Sequence, residues 1–240
     1  MTASIAAIAV VIPAHNEAEL LGACLDSVAL AIGQAERRGV HVAARVALDA
    51  CTDRSAAIAR DRGFRTVTLA ARAVGAARTA GLEAAVADLG EAPRDRIWTA
   101  HTDADSVVPP HWLTHQLDLA RGGADVMIGT VRPDFADLDA AQQAAWLAGY
   151  VPGAANDAVH GANLGLRLST LVAAGGFEAV AVHEDVRLIE RVRRRGARIA
   201  LSDAASVLTS GRQHGRAPDG YARYLRVDLV AAHLARTSGA

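Results

Sequence analysis

In Ile97-Trp98-Thr99-Ala100-His101-Thr102-Asp103-Ala104-Asp105, an apolar run of strand length leads directly into two acidic residues. A short apolar run bounded by polar residues predicts a buried strand. Two carboxylates at the end of such a strand are costly to place unless a positive charge neutralises them. Mg²⁺ and Mn²⁺ prefer carboxylate, water and phosphate oxygens as ligands. The motif therefore predicts a divalent cation at one edge of a sheet, where it can bridge to a diphosphate.

On both sides of this stretch, apolar runs of strand length alternate with segments of helical spacing. The predicted strands are residues 5–12, 42–48, 64–69, 97–101 and 126–131, and the predicted helices are residues 17–37, 53–62, 72–89 and a helix after Pro110. Continuous apolar strands separated by helices indicate a mostly parallel sheet that helices cover on both faces. Ligands of such sheets bind outside the carboxyl ends of the strands.

After residue 132 the alternation loosens. The predicted elements there are a helix at 138–147, short strands at 161–167, 199–201 and 205–208, a helix at 184–195 and a terminal helix at 218–236. No segment is long and apolar enough for a transmembrane helix, which needs about 18 uninterrupted apolar residues. We therefore expect no membrane span.

Composition limits the possible functions. The 240 residues are 51% hydrophobic and 21% charged, which suits one domain with a sizeable core. The net charge of −1 argues against nucleic acid as the main partner. The basic run at 191–198 is interpreted as a solvated helix end. Cys24 and Cys51 are too few for a disulfide framework, which fits a cytoplasmic location.

The turns after the first two strands carry polar residues with two interpretations each. Asn16 and Glu17 stand at the predicted start of a helix, where capping explains them as well as a functional role does. Asp49 is placed to accept a hydrogen bond from a base or a ribose at the end of its strand. Asp53 is interpreted as a structural residue that caps the next helix.

Three later segments also stand where strands or helices meet loops. Gly161 and Gly165 flank Asn163 and permit close backbone approach to a ligand, although an ordinary turn explains them on its own. Glu184-Asp185 opens a helix, either as a complement to the helix dipole or with one of them as a general base. In the loop 209–216, Arg212 or Arg216 could pair with a diphosphate, and His214 could add a nitrogen ligand to the metal.

Together these segments resemble the family 2 glycosyltransferases over residues 5–216. The matching segments are Val10-Val11-Ile12-Pro13-Ala14-His15-Asn16-Glu17, Asp49-Ala50-Cys51-Thr52-Asp53, Gly75-Ala76-Ala77-Arg78-Thr79-Ala80-Gly81, Asp103-Ala104-Asp105, Gly161-Ala162-Asn163-Leu164-Gly165-Leu166-Arg167 and Glu184-Asp185. The resemblance implies a GT-A type, Rossmann-like α/β fold with a mostly parallel central sheet flanked by helices. It implies one domain, residues 1–240, with a nucleotide-sugar binding half at 1–131 and an acceptor-side half at 132–240.

The resemblance also implies roles for single residues. The donor, a sugar on a nucleoside diphosphate of the UDP or GDP type, would be bound by Pro13, Ala14, Glu17, Asp49, Arg78, Asp103 and Ala104. Asp105, with His214 as a further ligand, would hold Mn²⁺ or Mg²⁺. Asp185 would be the general base beside Glu184, and Gly161, Ala162 and Asn163 would form the acceptor side. Members of the family generally invert the anomeric centre in one displacement. The acceptor is not identified.

The chain departs from the family pattern at Leu48, Thr79 and Ala50-Cys51, which leaves the predicted metal ligand and base untouched. Two other functions predict different sequence features. A sugar-phosphate nucleotidyltransferase should carry a phosphate loop with Gly and Lys or Arg directly after the first strand, and residues 14–17 contain no Gly, Lys or Arg. A non-catalytic nucleotide-sugar binding module should have lost Asp105 or Asp185, and both are present.

Overall fold

A computed structural model of the chain describes residues 4–215 and 220–238, and an eight-stranded sheet runs through these residues. The strands are β1 Ala7–Ala14, β2 His41–Asp49, β3 Arg65–Leu69, β4 Ile97–His101, β5 Ser106–Val107, β6 Val126–Pro133, β7 Leu164–Arg167 and β8 Ile199–Thr209. Their order across the sheet is β3-β2-β1-β4-β7-β6-β8-β5.

The sheet is mostly parallel, as the sequence predicts. β1 pairs in parallel with β2 and β4, β2 with β3, and β6 with β8. β7 is antiparallel to both of its neighbours, and β5 is antiparallel to β8. The carboxyl ends of β1, β2, β3 and β4 consequently lie along one edge, where the predicted site residues follow the strands.

Helices cover both faces of the sheet. They are α1 Leu21–Arg37, α2 Ser55–Asp61, α3 Val74–Asp88, α4 Trp112–Arg121, α5 Ala140–Gly149, α6 Leu168–Ala173, α7 Glu184–Arg194, α8 Tyr221–Arg223 and α9 Leu229–Ser238, with a π-helical turn at Tyr224–Asp228 between the last two. Among the described residues, none of these helices is both long and apolar enough to cross a bilayer.

The alternation of side chains along β1 explains why its sequence is continuously apolar. Ile8, Val10 and Ile12 pack into the core beneath α1 and α4, whereas Ala9 and Val11 pack into a second core on the other face. On that second face, α3 lies so close to β1 that a Cβ on Gly81 would stand 2.8 Å from Cγ1 of Val11. The small residues of α3 therefore bring its first turn close to the sheet edge that carries the site.

Three sequence predictions of secondary structure need correction. The first helix begins at Leu21, not at residue 17. Residues 161–167 are a 3-10 turn, Gly161–Asn163, followed by β7. Residues 199–209 form one strand, because β8 continues through a shift of register opposite Gly129 and Val131. Two further elements, α6 and β5, are too short to show a period in the sequence and were not predicted. Pro218, the predicted start of the terminal helix, lies outside the described residues.

Candidate active site

Backbone conformation marks the carboxyl edge of the sheet as unusual. Four non-glycine residues have positive φ, namely Asn16 (54°), Ala50 (50°), Arg72 (52°) and His183 (61°). The first three follow β1, β2 and β3, and His183 directly precedes α7. Such conformations cost free energy and persist where the surrounding structure enforces them, which is common at functional sites.

The turn after β1 is bound to the turn after β2. Asn16 Oδ1 accepts hydrogen bonds from the amides of Thr52 (2.7 Å) and Asp53 (3.2 Å). Helix capping by Asn16 is therefore wrong as an explanation, because α1 begins further along and the side chain faces another loop. The structural role of Asp53 is confirmed, since its carboxylate accepts from the amides of Ser55 and Ala18, both at 2.9 Å.

Asp49, the last residue of β2, holds the loop after β3. Its Oδ1 accepts from the Arg72 amide (2.9 Å) and its Oδ2 from the Ala73 amide (2.8 Å). Each carboxylate oxygen can accept a second hydrogen bond. A contact between Asp49 and a nucleotide is thus compatible with these bonds and stays a prediction. Pro13 and Ala14 are the buried last residues of β1 beside it.

The acidic motif lies in the turn between β4 and β5, and each of its carboxylates has a guanidinium partner. Arg78 Nη2 donates to Asp103 Oδ1 at 2.6 Å, and Arg212 Nη2 donates to Asp105 Oδ2 at 2.7 Å. Ala104 between them is buried. Burial and the neighbouring charge of Asp103 raise the pKa of Asp105, and Arg212 partly opposes this shift. The site therefore attracts positive charge.

Arg78 joins the acidic motif to the predicted catalytic pair. Its Nε donates to Glu184 Oε1 at 2.8 Å, so one guanidinium bridges α7 and the turn after β4. Burial alone would lower the pKa of Arg78, but the charges of Asp103 and Glu184 outweigh it and raise the pKa. The pKa of Glu184 is raised by burial, with Arg78 opposing. Glu184 thus forms a buried ion pair with Arg78.

Asp185 is held by two backbone amides at the start of α7. Its Oδ2 accepts from the Gly161 amide at 2.6 Å and its Oδ1 from the Val186 amide at 2.8 Å. A Cβ on Gly161 would lie 2.2 Å from Nη2 of Arg78, so a side chain at this position would displace the arginine. The structure therefore brings together the predicted base, the Gly161 turn and Arg78.

Asn163 belongs to the framework behind this turn. Its Nδ2 donates to the carbonyls of Thr130 (2.8 Å) and Ala205 (2.9 Å), and its Oδ1 accepts from Trp112 Nε1 at 2.9 Å. The side chain has no exposed surface, and Ala162 beside it is also buried. These bonds tie the turn to α4, β6 and β8, which the sequence did not indicate.

The loop after β8 contributes Arg212, which forms a forked pair with Glu17. Arg212 Nη1 lies 3.0 Å from Glu17 Oε2, and Nη2 lies 2.8 Å from Oε1. The His214 side chain is exposed. Within residues 4–215 and 220–238, no group of three or more His, Cys, Asp and Glu side chains is arranged to hold a metal. Arg216 lies outside the described part of the chain.

The donor set at the acidic motif fits a hard divalent cation. The Arg212 guanidinium already lies against Asp105, in the position of a positive counter-charge. Mg²⁺ and Mn²⁺ commonly take one or two carboxylates from the protein and complete their shell with water and substrate phosphates. A set of only two carboxylates is therefore sufficient when a diphosphate supplies further oxygens.

The sheet order and the carboxylates at its edge define a GT-A type α/β protein. The chain belongs to glycosyl transferase family 2, because the family model described as Glycosyl transferase family 2 matches residues 9–157. No curated protein matches the sequence.

Solved structures of glycosyltransferases share this fold. A mannosyltransferase from Pyrobaculum calidifontis, in complex with GDP-Man and Mn²⁺, is 19% identical with a TM-score of 0.63, over 100% of this chain and 66% of that one. S. aureus TarS in complex with UDP is 14% identical with a TM-score of 0.59, over 95% and 65%. Glucosyl-3-phosphoglycerate synthase from Mycobacterium tuberculosis, in complex with Mn²⁺ and UDP-glucose, is 18% identical with a TM-score of 0.55, over 96% and 78%. The chain thus spans slightly less than two thirds of the length of the first two.

Proposed function

We propose that this protein transfers a sugar from a nucleoside-diphosphate sugar to an acceptor hydroxyl, with a divalent cation and with inversion at the anomeric carbon. The observation that carries the proposal is the buried Arg78 guanidinium, which links Asp103 of the acidic motif to Glu184 beside the candidate base. A donor held at the motif would therefore lie next to a group that can take a proton. That adjacency is what a single displacement requires.

The donor would bind along the carboxyl ends of β1, β2 and β4. Pro13, Ala14 and Asp49 would line the nucleotide, and Asp103 with Ala104 would face the ribose or the sugar. The bound GDP-Man and UDP-glucose of two structural neighbours support a donor of the GDP or UDP type. We further propose that residues 1–131 bind this donor and residues 132–240 shape the acceptor side.

The cation, Mn²⁺ or Mg²⁺, would be held by Asp105 together with oxygens of the donor diphosphate, and His214 is a proposed further ligand. When bound, it supplies electrostatic stabilisation of the charge that grows on the leaving diphosphate. The Mn²⁺ present in two neighbour complexes supports this proposal. Arg212 would add a second positive charge beside it.

Asp185 would act as the general base. Its carboxylate takes the proton of the acceptor hydroxyl while the hydroxyl oxygen forms a bond to the anomeric carbon. The bond from that carbon to the diphosphate breaks, and its electron pair leaves on the diphosphate oxygen. The amides of Gly161 and Val186 hold the carboxylate in one orientation. Glu184 would fix Arg78 and contact no proton of the substrate.

A thermal-shift panel tests the proposal. UDP, GDP, CDP and dTDP are each added with and without Mn²⁺ or Mg²⁺, because a ligand that binds only the folded state raises the melting temperature. We expect one diphosphate to give a metal-dependent shift that Asp105→Asn abolishes. Asp61→Asn, at an exposed position, is the matched control and should keep the shift. No shift with any diphosphate would contradict the proposal.

The nucleotidyltransferase alternative is tested with the same protein. A nucleotidyltransferase should be stabilised by a nucleoside triphosphate more than by the diphosphate, and it should release pyrophosphate from the triphosphate and a sugar phosphate. We expect neither result.

A further inference from the structure

Glu17 has a different partner from the one that its place in the first turn suggests. The family resemblance puts it against the nucleotide, yet both of its carboxylate oxygens accept hydrogen bonds from Arg212, at 3.0 and 2.8 Å. The residue is only 8% exposed. A guanidinium bound through two parallel bonds is fixed in direction as well as in position.

The backbone of Glu17 is also fixed. Its amide donates to Ser55 Oγ at 2.9 Å, and its carbonyl accepts from the amides of Leu20 (3.1 Å) and Leu21 (2.9 Å). These bonds attach the residue to the start of α2 and to the start of α1. The carboxylate therefore projects from a rigid turn towards Arg212.

The backbone next to Arg212 also makes hydrogen bonds of its own. The Gly211 amide donates to Asp137 Oδ2 at 2.8 Å, and the Arg212 amide donates to Ser210 Oγ at 3.2 Å. A Cβ on Gly211 would lie 2.4 Å from the carbonyl oxygen of Asp134, so only glycine fits this close approach. The loop after β8 is thus packed closely against Asp134 at Gly211, and the Arg212 side chain extends from the loop towards the acidic motif.

We propose that Glu17 is a positioning residue, which holds the Arg212 guanidinium beside Asp105 so that it meets the diphosphate of the donor. The inference rests on the proposed function. Arg212 Nη2 is shared between Glu17 and Asp105, whereas Nη1 donates, within the described part of the chain, to Glu17 only. When Asp105 binds a divalent cation, the two hydrogen bonds to Glu17 keep the Arg212 guanidinium in place.

The number of hydrogen-bond donors on Arg212 agrees with this role. A guanidinium has five N–H donors, which exceeds the three hydrogen bonds that Arg212 makes to Glu17 and Asp105. Donors remain for phosphate oxygens, and guanidinium and phosphate match in charge and geometry. Without Glu17 the arginine would lose its direction and would be free to pair with Asp105 alone, where it competes with the cation.

The first experiment tests, without any ligand, whether Glu17 holds Arg212 and its loop in place. Hydrogen exchange of the segment 209–215 is compared among wild type, Glu17→Gln and the control Glu19→Gln, an exposed acid of the same turn. We expect Glu17→Gln to speed exchange in 209–215 by about tenfold, because a charge-assisted pair is lost. Glu19→Gln should match wild type. Equal exchange rates in Glu17→Gln and wild type would contradict the claim that Glu17 holds Arg212 in place.

The second experiment measures the preference for a diphosphate over a monophosphate. Dissociation constants of UDP and UMP, and of GDP and GMP, are determined with Mn²⁺ for wild type, Glu17→Gln, Arg212→Gln and the double variant. We expect each single variant to reduce the ratio of the two constants by about tenfold, which corresponds to one charge-assisted contact with the added phosphate. The double variant should be no worse than Arg212→Gln, because both changes remove the same contact.

An unchanged ratio in Glu17→Gln, or strictly additive losses in the double variant, would overturn the positioning role. A purely structural role would weaken monophosphate and diphosphate alike and leave the ratio unchanged. Wild type that binds no nucleotide would instead contradict the proposed function, while the exchange measurement would still decide whether Glu17 anchors Arg212.

Discussion

Arg78 Nη2 and Asp103 Oδ1 lie 2.6 Å apart, and the arginine side chain that makes this contact is almost completely buried. The same guanidinium donates to Glu184, so two carboxylates from distant parts of the chain depend on a single positive charge. A buried charge without its partner is strongly destabilising. Arg78 is therefore predicted to matter for folding as well as for the site.

Replacing Arg78 with Met should lower the free energy of unfolding by about 3–5 kcal/mol, because it leaves Glu184 buried and Asp103 unpaired. Urea unfolding of the two proteins measures the difference. Arg60→Met removes an exposed arginine and serves as the control, with an expected change within about 0.5 kcal/mol. Wild-type stability in Arg78→Met would show that the two acids do not depend on this guanidinium.

Replacing Asp185 with Asn should reduce turnover by about 10²–10⁴-fold, the usual contribution of a general base. Donor binding should stay nearly unchanged, because Asp185 faces the Gly161 amide and not the acidic motif. The measurements are the rate of nucleoside diphosphate release with a working acceptor and the dissociation constant of the donor.

The amide of Asn can accept through one oxygen only, so Asp185→Asn retains one of the two backbone hydrogen bonds. Asp157→Asn, at an exposed position outside the site, controls for the loss of one acidic charge. Full turnover in Asp185→Asn would remove Asp185 from the mechanism. Loss of donor binding together with turnover would indicate that the substitution disturbs the turn instead.

Stability should fall as the solution is acidified, and His101 is one cause. In the folded chain, burial and then the positive charge of Arg78 hold the pKa of His101 well below its ordinary value of 6.5. The unfolded chain takes up a proton at this residue below about pH 6.5, and the folded chain does not. The stabilising contribution is therefore present above that pH and is lost as the pH falls.

Unfolding free energies at pH 7.5, 6.5 and 5.5 measure the effect in wild type and in His101→Gln. Each such histidine contributes a slope of up to ~1.4 kcal/mol per pH unit, and the substitution should remove one such slope between pH 6.5 and 5.5. His41→Gln, at an exposed position, should keep the wild-type slope. Equal slopes in all three proteins would mean that His101 titrates alike in both states.

The local sequence pattern predicted most strands of the sheet, but it predicted few of the contacts between side chains at its edge. The run before Asp103 is β4 with the predicted bounds, because five consecutive buried residues leave little choice of structure. The bond between Glu17 and Arg212 joins residues 195 positions apart, and no local period reports such a pair. The places of the candidate site residues at the ends of strands were therefore predictable, whereas their hydrogen-bond partners were not.

Two errors have particular causes. Asn16 resembles a helix cap in sequence, but its positive φ directs the side chain to the amide of Thr52 in a loop that sequence order does not place nearby. The polar residues at the middle of β8 look like a break between two strands. Asp203 is polar there because its carboxylate accepts hydrogen bonds from Thr130, Tyr150 and Gly153 of the neighbouring elements.

One departure from the family pattern also has a physical meaning, since Ala50 has a left-handed backbone conformation that favours glycine.

Replacing Asn163 with Leu should destabilise the protein by about 3 kcal/mol or more, because buried donors and acceptors left without partners each cost about 1–3 kcal/mol. The substitution would orphan the Trp112 indole N–H and the carbonyls of Thr130 and Ala205 at once. Leucine also lacks any polar atom that could replace one of these bonds, so relaxation around it can recover little. Urea unfolding measures the loss, and Asn156→Leu at an exposed position is the control. If Asn163 instead contacted substrate and held no framework, Asn163→Leu would keep wild-type stability and lose only activity, and that result would contradict the structural assignment.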